Sequence, residues 1–353
     1  MIAANITEDH VRAATAVYQE LAAAGGIRFG IVSGSHAFGL GHGTSDVDFY
    51  VMAADDTPIE GRFYMRDGLP VQVNPVTPGE LNDAIAWGAD DTEFTSTNRT
   101  MLDVSDDVCK LAIRLSRGHL VHADEQGREL LGRFDHAVMR RRIIARASRD
   151  CAVHLEDVAG ALEAGDRNTA YTAVRIAVTH ACEAALAACD DLYVGQKFLL
   201  RRLERVPVLR GARRRISAAL DIPDGTVPPI RSLVDDDLAT VERVIRDRAH
   251  LAAYLTAHAG MGWQDVVTSL PALILGRRGP LRDPYFTLLR FHDGIGLVGP
   301  DKAFRVSADA ARLWLSLDGT RTIGEIGDPG DPRVRGVLQL LKIGAAASPP
   351  PLS

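Results

Sequence analysis

Asp46 and Asp48, one residue apart and leading into the apolar run Phe49-Tyr50-Val51-Met52, are the side chains in this sequence best placed to do chemistry. Side chains alternate along a strand with period two, so these carboxylates share one face while Val47 and Phe49 turn to the core. Like charges held side by side repel. A divalent cation with oxygen ligands, Mg above all, is the natural relief. Upstream, Ile31-Val32 opens a β-branched run that Gly34-Ser35 interrupts, and a Gly-rich loop carries the chain on to Ser45. A glycine at that turn lets backbone amides approach an anion, the Ser35 hydroxyl adds a donor, and a helix N-terminus following it would add partial positive charge. A phosphate turn beside a metal-binding carboxylate pair is the chemistry these spacings suggest.

The elements that must position them can be read from the pattern. Glu8 to Ala24 carries Val11, Ala14, Val17, Tyr18, Leu21 and Ala22 at helical spacing, and Gly25-Gly26 stops it. Arg62 to Met65 and Leu69 to Val76 flank Asp67-Gly68, a hairpin signal, so a mixed or antiparallel sheet of about four strands is expected. Short helices are expected over 81–87 and 104–115, one more strand over 118–122, and a polar turn over 123–126. From Phe134 to about His258, recurring Ala, Leu, Val and Ile predict helices near 136–164, 167–189, 193–204, 210–220 and 230–257, broken at Gly165-Asp166, Asp190-Asp191 and the Pro223 to Pro229 loop. Arginine runs such as Arg140-Arg141-Arg142 read as solvated helix faces. His180 and Glu183, three apart on one helix, read as a packed histidine and its neighbour rather than half a metal site.

Past Gly260 the helical periodicity stops. Tyr285 to Phe291, Gly294 to Val298 and Ala303 to Val306 predict a small meander. A helix follows over 307–317, with Ser307 as its N-cap and Asp318-Gly319 at its end, then short helices over 322–326 and 332–343. Residues 346–353, ending in Pro349-Pro350-Pro351, are expected to be a disordered tail. The expected class is α+β: a mixed β-sheet with helices over 1–130, a helical bundle over 131–260, a linker over 261–283 and a small winged-helix-like unit over 284–345.

Bulk properties narrow the function. An apolar fraction of 46% and a charged fraction of 24% are those of a soluble globular protein, and a net charge of -6 disfavours long nucleic acid as a partner. No window approaches about 18 uninterrupted apolar residues and no signal-like N-terminus is present, so no membrane is expected and the cytoplasm is the expected compartment. The four cysteines form no CxxC pair and are expected to be buried, reduced thiols.

With an apolar strand before it and a helix before that, Gly34-Ser35 followed by Ser45-Asp46-Val47-Asp48-Phe49 resembles the signature of the polymerase-beta-like nucleotidyltransferase superfamily. The resemblance implies that Gly34, Ser35 and Ser45 bind a nucleoside triphosphate such as ATP and that Asp46 and Asp48 hold Mg. A third carboxylate usually stands on a neighbouring strand. Pro70-Val71-Gln72-Val73-Asn74 looks like the corresponding strand of aminoglycoside nucleotidyltransferases, with Gln72 where an acid would be. A neutral amide ligates metal weakly and scarcely serves as a base. Asp67 could reach the site only if the register rescued it. The helical region is similar to the bundle of kanamycin- and lincosamide-type relatives, which implies Lys197 as a phosphate contact and Glu156, or Asp157, as general base.

Phe304-Arg305-Val306-Ser307 through Trp314, Asp318-Gly319 and Thr322 is similar to the PqqD-like peptide-chaperone family, the recognition element for leader peptides of ribosomally made natural products. That likeness implies a peptide added as an edge strand beside Phe304 to Val306, bordered by Trp314. Together the resemblances imply a Mg-dependent nucleotidyltransferase that moves a nucleoside monophosphate from an NTP to a peptide acceptor. Two alternatives stay open: a catalytically degenerate scaffold that binds a leader peptide, and an antibiotic-modifying transferase of the aminoglycoside type.

Overall fold

The computed structural model describes residues 5–55, 58–90, 92–210, 213–220, 238–261, 278–299 and 302–348. Its contacts group the chain into two units, Met1–Glu93 with Thr100–Arg140 and Asp190–Phe198, and Phe94–Arg99 with Arg141–Cys189 and Leu199–Ser353. Three successive domains were expected. The bundle and the C-terminal region group together, and two short stretches leave their sequence neighbours. Phe94 is buried 5.1 Å from the Phe291 ring, and the amide and hydroxyl of Ser96 both donate to Asp293. Apolar burial and hydrogen bonding thus assign 94–99 to the second unit.

In the first unit α1 (Glu8–Ala24) starts where Thr7 caps it and ends at Gly25, as the sequence predicts. Then come β1 (Ile27–Ser33), a single turn α2 (Gly34–Ala37), β2 (Val47–Ala53), β3 (Phe63–Arg66), β4 (Leu69–Pro75), α3 (Pro78–Gly88), α4 (Asp106–Arg117), β5 (His119–Ala123) and α5 (Glu125–Leu131). The last is a correction: 123–126 was expected to be a turn, but the Asp124 side chain accepts from the Gly127 amide and starts a helix. The strands form one mixed sheet in the order β3-β4-β2-β1-β5, with β2 and β4 parallel and the other pairs antiparallel. Asp67 and Gly68 both take positive φ, which makes the tight β3–β4 hairpin. One sheet face packs Phe49, Val51, Val71 and Val73 against α1; the other packs Phe29, Ile31 and Tyr50 with Leu81, Ile85 and Leu115 of α3 and α4.

The second unit is built on α6 (His136–Glu163), which enters it at residue 141, with α7 (Arg167–Ala188), α8 (Leu199–Arg205), α9 (Pro207–Arg210), α10 (Arg213–Ala219) and α11 (Leu238–Met261). Val174, Val178, Leu186, Leu203, Ile245 and Leu255 share one core. The helix expected over 193–204 begins only at a 3-10 turn, Gln196–Phe198, because Gly195 at φ 137° interrupts helical geometry. The Pro223 to Pro229 loop and residues 262–277 of the expected linker lie outside the described residues.

After β6 (Leu281–Arg282), the three-stranded meander β7 (Thr287–Phe291), β8 (Gly294–Val298) and β9 (Ala303–Val306) is followed by α12 (Ala308–Leu315), α13 (Ile323–Ile326), α14 (Pro332–Lys342) and β10 (Ala346–Ala347). Ser307, Thr322 and Asp331 cap the three helices. Ala346–Ala347 pair with Leu281–Arg282, so the expected tail begins as a strand and the expected linker ends as one. Among the described residues no helix is long and apolar enough to cross a membrane. Cys109, Cys151 and Cys182 are buried free thiols and Cys189 is half-buried.

Candidate functional site

Strand register assembles the site. Asp48 pairs with Ser33 of β1 on one side and with Gln72 of β4 on the other, and Gln72 pairs in turn with Phe63 of β3. Register partners share a sheet face, so Ser33, Asp48, Gln72 and Phe63 make one row across four strands. The next row inward holds Ile31, Tyr50 and Asn74. Asp46 lies just before β2 and carries the same alternation outward. Both carboxylates are half-buried.

The turn after β1 closes onto this row. Gly34 has φ +68°, and a Cβ placed on it would lie 1.8 Å from an Asp48 carboxylate oxygen. No side chain fits there, so the turn after β1 and the carboxylate are in direct apposition. The Ser35 carbonyl accepts from the amides of Leu40 and Gly41 at 2.8 and 3.0 Å, which folds the loop back over the turn. Ser45 is buried, and its hydroxyl accepts from the His42 amide at 3.1 Å. That contact closes the loop between His42 and Ser45. The helix expected to lend positive charge is the one-turn α2, too short for aligned peptide dipoles to sum to much.

Burial, and then repulsion from Asp46, push the Asp48 carboxyl above its usual range; Arg114, a hydrogen bond from Asn74 and His36 pull the other way. Arg114, from α4, donates to the Tyr50 hydroxyl at 2.6 Å, and its own carbonyl accepts from Ser33 at 2.7 Å. Burial raises the Tyr50 phenol strongly, so it stays neutral. Tyr193 bears on Tyr50 electrostatically and stands edge-on to Phe38 at 5.3 Å. His36 is buried over His10, ring centroids 4.2 Å apart, and no described residue bonds its Nδ1.

Gln72, the residue expected at the third-acid place, therefore stands across from Asp48, and Asp67 does not join it. Asp67 sits in the hairpin turn and pairs with Arg12 of α1 at 3.2 Å, on the opposite sheet face. Among the described residues no three His, Cys, Asp or Glu side chains converge as a metal site. The two aspartates and the Gln72 amide nevertheless offer an oxygen-only donor set, which suits a hard divalent cation, and its charge would relieve the strain that burial and repulsion place on Asp48. Of the segment expected to supply Lys197, Tyr193 bears electrostatically on Tyr50; Lys197 is exposed, with Nζ 5.1 Å from the Phe198 ring.

Glu156 lies exposed on α6 in the second unit, and its neighbour Asp157 pairs with His154 at 3.3 Å. Glu183 accepts from the fully buried Arg202 through both oxygens at 2.8 Å, while His180 stacks on His154, so that pair is packing and not metal. In the meander β9 is one of the two outer strands, with Phe304 and Val306 half-buried against the local core. Trp314 is 1% exposed, with its indole N–H donated to the Ala345 carbonyl at 2.7 Å. It lies in the core against which Phe304 and Val306 of β9 pack. Arg114, Tyr50 and His36 were missed from sequence. Tyr50 alone had a signal, its even spacing from Asp46 and Asp48.

No family model matches the chain, and no curated protein matches it. Among solved structures, the chain is similar to a nucleotidyltransferase-like protein from Exiguobacterium sibiricum 255-15, at 14% identity over 71% of this chain and 79% of that one, with a TM-score of 0.33.

Proposed function

We propose that the chain is a Mg-dependent nucleotidyltransferase that moves a nucleoside monophosphate from an NTP to a hydroxyl of a peptide acceptor. The observation that carries this reading is the apposition of Gly34 and Asp48: a left-handed backbone turn with no room for a side chain, set against a carboxylate that carries Asp46 beside it. Asp46 and Asp48 would hold Mg, which supplies positive charge against that developing on the transferred phosphoryl group. The Gly34-Ser35 turn holds the β and γ phosphates. The acceptor oxygen forms a bond to the α phosphorus as the bond to pyrophosphate breaks, and its proton passes to water, since Gln72 has no basic atom. Among the described residues β9 pairs with β8 alone, and its other edge suits an acceptor held by strand addition, with Phe304 and Val306 behind it.

Gln72 opposite Asp48 favours one second reading, a nucleotide-binding scaffold without turnover. Pyrophosphate release from ATP or GTP, with Mg and candidate peptides, separates the two. Transfer requires release by the wild-type chain and a loss of at least about a hundredfold in Asp46→Asn and Asp48→Asn. Silence across nucleotides, metals and peptides would rule out the transferase and leave the scaffold.

A further inference from the structure

Phe63 and Met65 are the most exposed large apolar side chains among the described residues, at 64% and 62%. They sit two apart on β3, so they share a face, and register places that face. Phe63 is in the row of Gln72 and Asp48, and Met65 stands opposite Pro70, one alternation further out. An apolar ledge therefore continues the carboxylate face across β4, about 10 Å from the carboxylate strand at the usual strand spacing. The strand beneath is fixed. Tyr64, on the other face, is buried with the guanidinium groups of Arg62 and Arg66 4.6 and 5.2 Å from its ring centroid, and both arginines pair with Glu20 of α1.

The order of strands says what the ledge meets. The phosphate turn follows β1, the carboxylates stand on β2, and β4 and then β3 lie beyond them. In a displacement at phosphorus the entering oxygen approaches opposite the leaving group. With pyrophosphate leaving on the β1 side, the acceptor enters over β4 and β3, past Gln72 and across Phe63 and Met65. We propose that Phe63 and Met65 form an acceptor subsite for a large apolar side chain, aromatic above all, two or three residues from the reacting hydroxyl of a peptide. The spacing follows from about 3.3 Å per residue of extended chain over about 10 Å. This assignment rests on the nucleotidyl-transfer reading.

The test uses the full chain labelled with 13C-methyl methionine, whose six methionines give a simple spectrum, with the Met65 signal assigned through Met65→Leu. Mg and a non-hydrolysable ATP analogue are added first, followed through the analogue's phosphorus signals. The capped peptides Ser-Gly-Gly-Trp and Ser-Gly-Gly-Ala are then titrated. The Met65 methyl is expected to shift with the Trp peptide and not with the Ala peptide, and Phe63→Ala to weaken Trp-peptide binding about fivefold while analogue binding is unchanged. Nucleotide binding with a Met65 methyl that ignores the Trp peptide, or responds equally to both, overturns the subsite alone. Absence of nucleotide binding overturns the transfer reading, and the subsite with it.

Discussion

Gly34 and Asp48 divide one space between them, and each is expected to respond to substitution in its own way. Gly34→Ala adds an atom where the carboxylate already stands, on a backbone at φ +68°. The left-handed conformation alone costs about 1 kcal/mol and the collision adds to it, so a lowered Tm together with loss of nucleotide binding is expected in thermal melts with and without Mg-ATP. Asp48→Asn works in the opposite direction. Burial and Asp46 hold the Asp48 carboxyl above the ordinary range, so the folded chain binds that proton more readily than the unfolded one. Metal-free stability therefore falls as pH rises through the ordinary carboxylate range to the raised value. Asn removes that loss, so the metal-free variant should melt higher than wild type at pH 7. Mg should raise the wild-type Tm, by about 1.4 kcal/mol of stability at ten times its dissociation constant, and leave the variant unmoved.

At the scale of elements, the site is a product of strand register, and the helical unit holds a buried charge pair. Arg202 of α8 is wholly buried on Glu183 of α7. Removing one partner strands a charge in the core, so Arg202→Met should cost about 3–5 kcal/mol in urea unfolding, and Glu183→Gln in the same background should recover part of it. Period-two alternation made the carboxylate face legible, and turn chemistry and caps made α1, the β3–β4 hairpin and the three C-terminal helices legible almost to the residue. Tertiary pairing was not. Only a resemblance singled out Gln72 within Pro70 to Asn74, and its place beside Asp48 depends on β2 and β4 running parallel; no local pattern marks Arg114, whose long side chain reaches Tyr50 from a helix. The burial of Trp314 was equally unmarked, because a helical tryptophan has the same spacing in a core as at an interface.

Across the whole molecule, charge is disposed unevenly in a way that makes stability depend on pH. Arg282 is buried beside Tyr254 and Trp314, with its guanidinium 5.4 and 5.7 Å from their rings, and donates to the Leu315 carbonyl. Burial first, and this cation second, push His250 down to about 4 and His258 to about 3. Depressed values mean the unfolded chain takes up protons that the folded chain refuses, so stability is full above pH 6.5 and is lost as pH falls toward 4. Urea unfolding at pH 7.5 and pH 5 should differ by about 2 kcal/mol for each histidine, and His250→Gln should lessen the difference. The functional proposal stands on the other unit, at the carboxylate pair. Titration of Mn2+ into the chain with a non-hydrolysable ATP analogue, read by electron paramagnetic resonance, tests it most directly. Bound metal that requires the nucleotide and disappears in Asp46→Asn with Asp48→Asn is the expected result; binding that survives both substitutions, or never occurs in the wild-type chain, would contradict it.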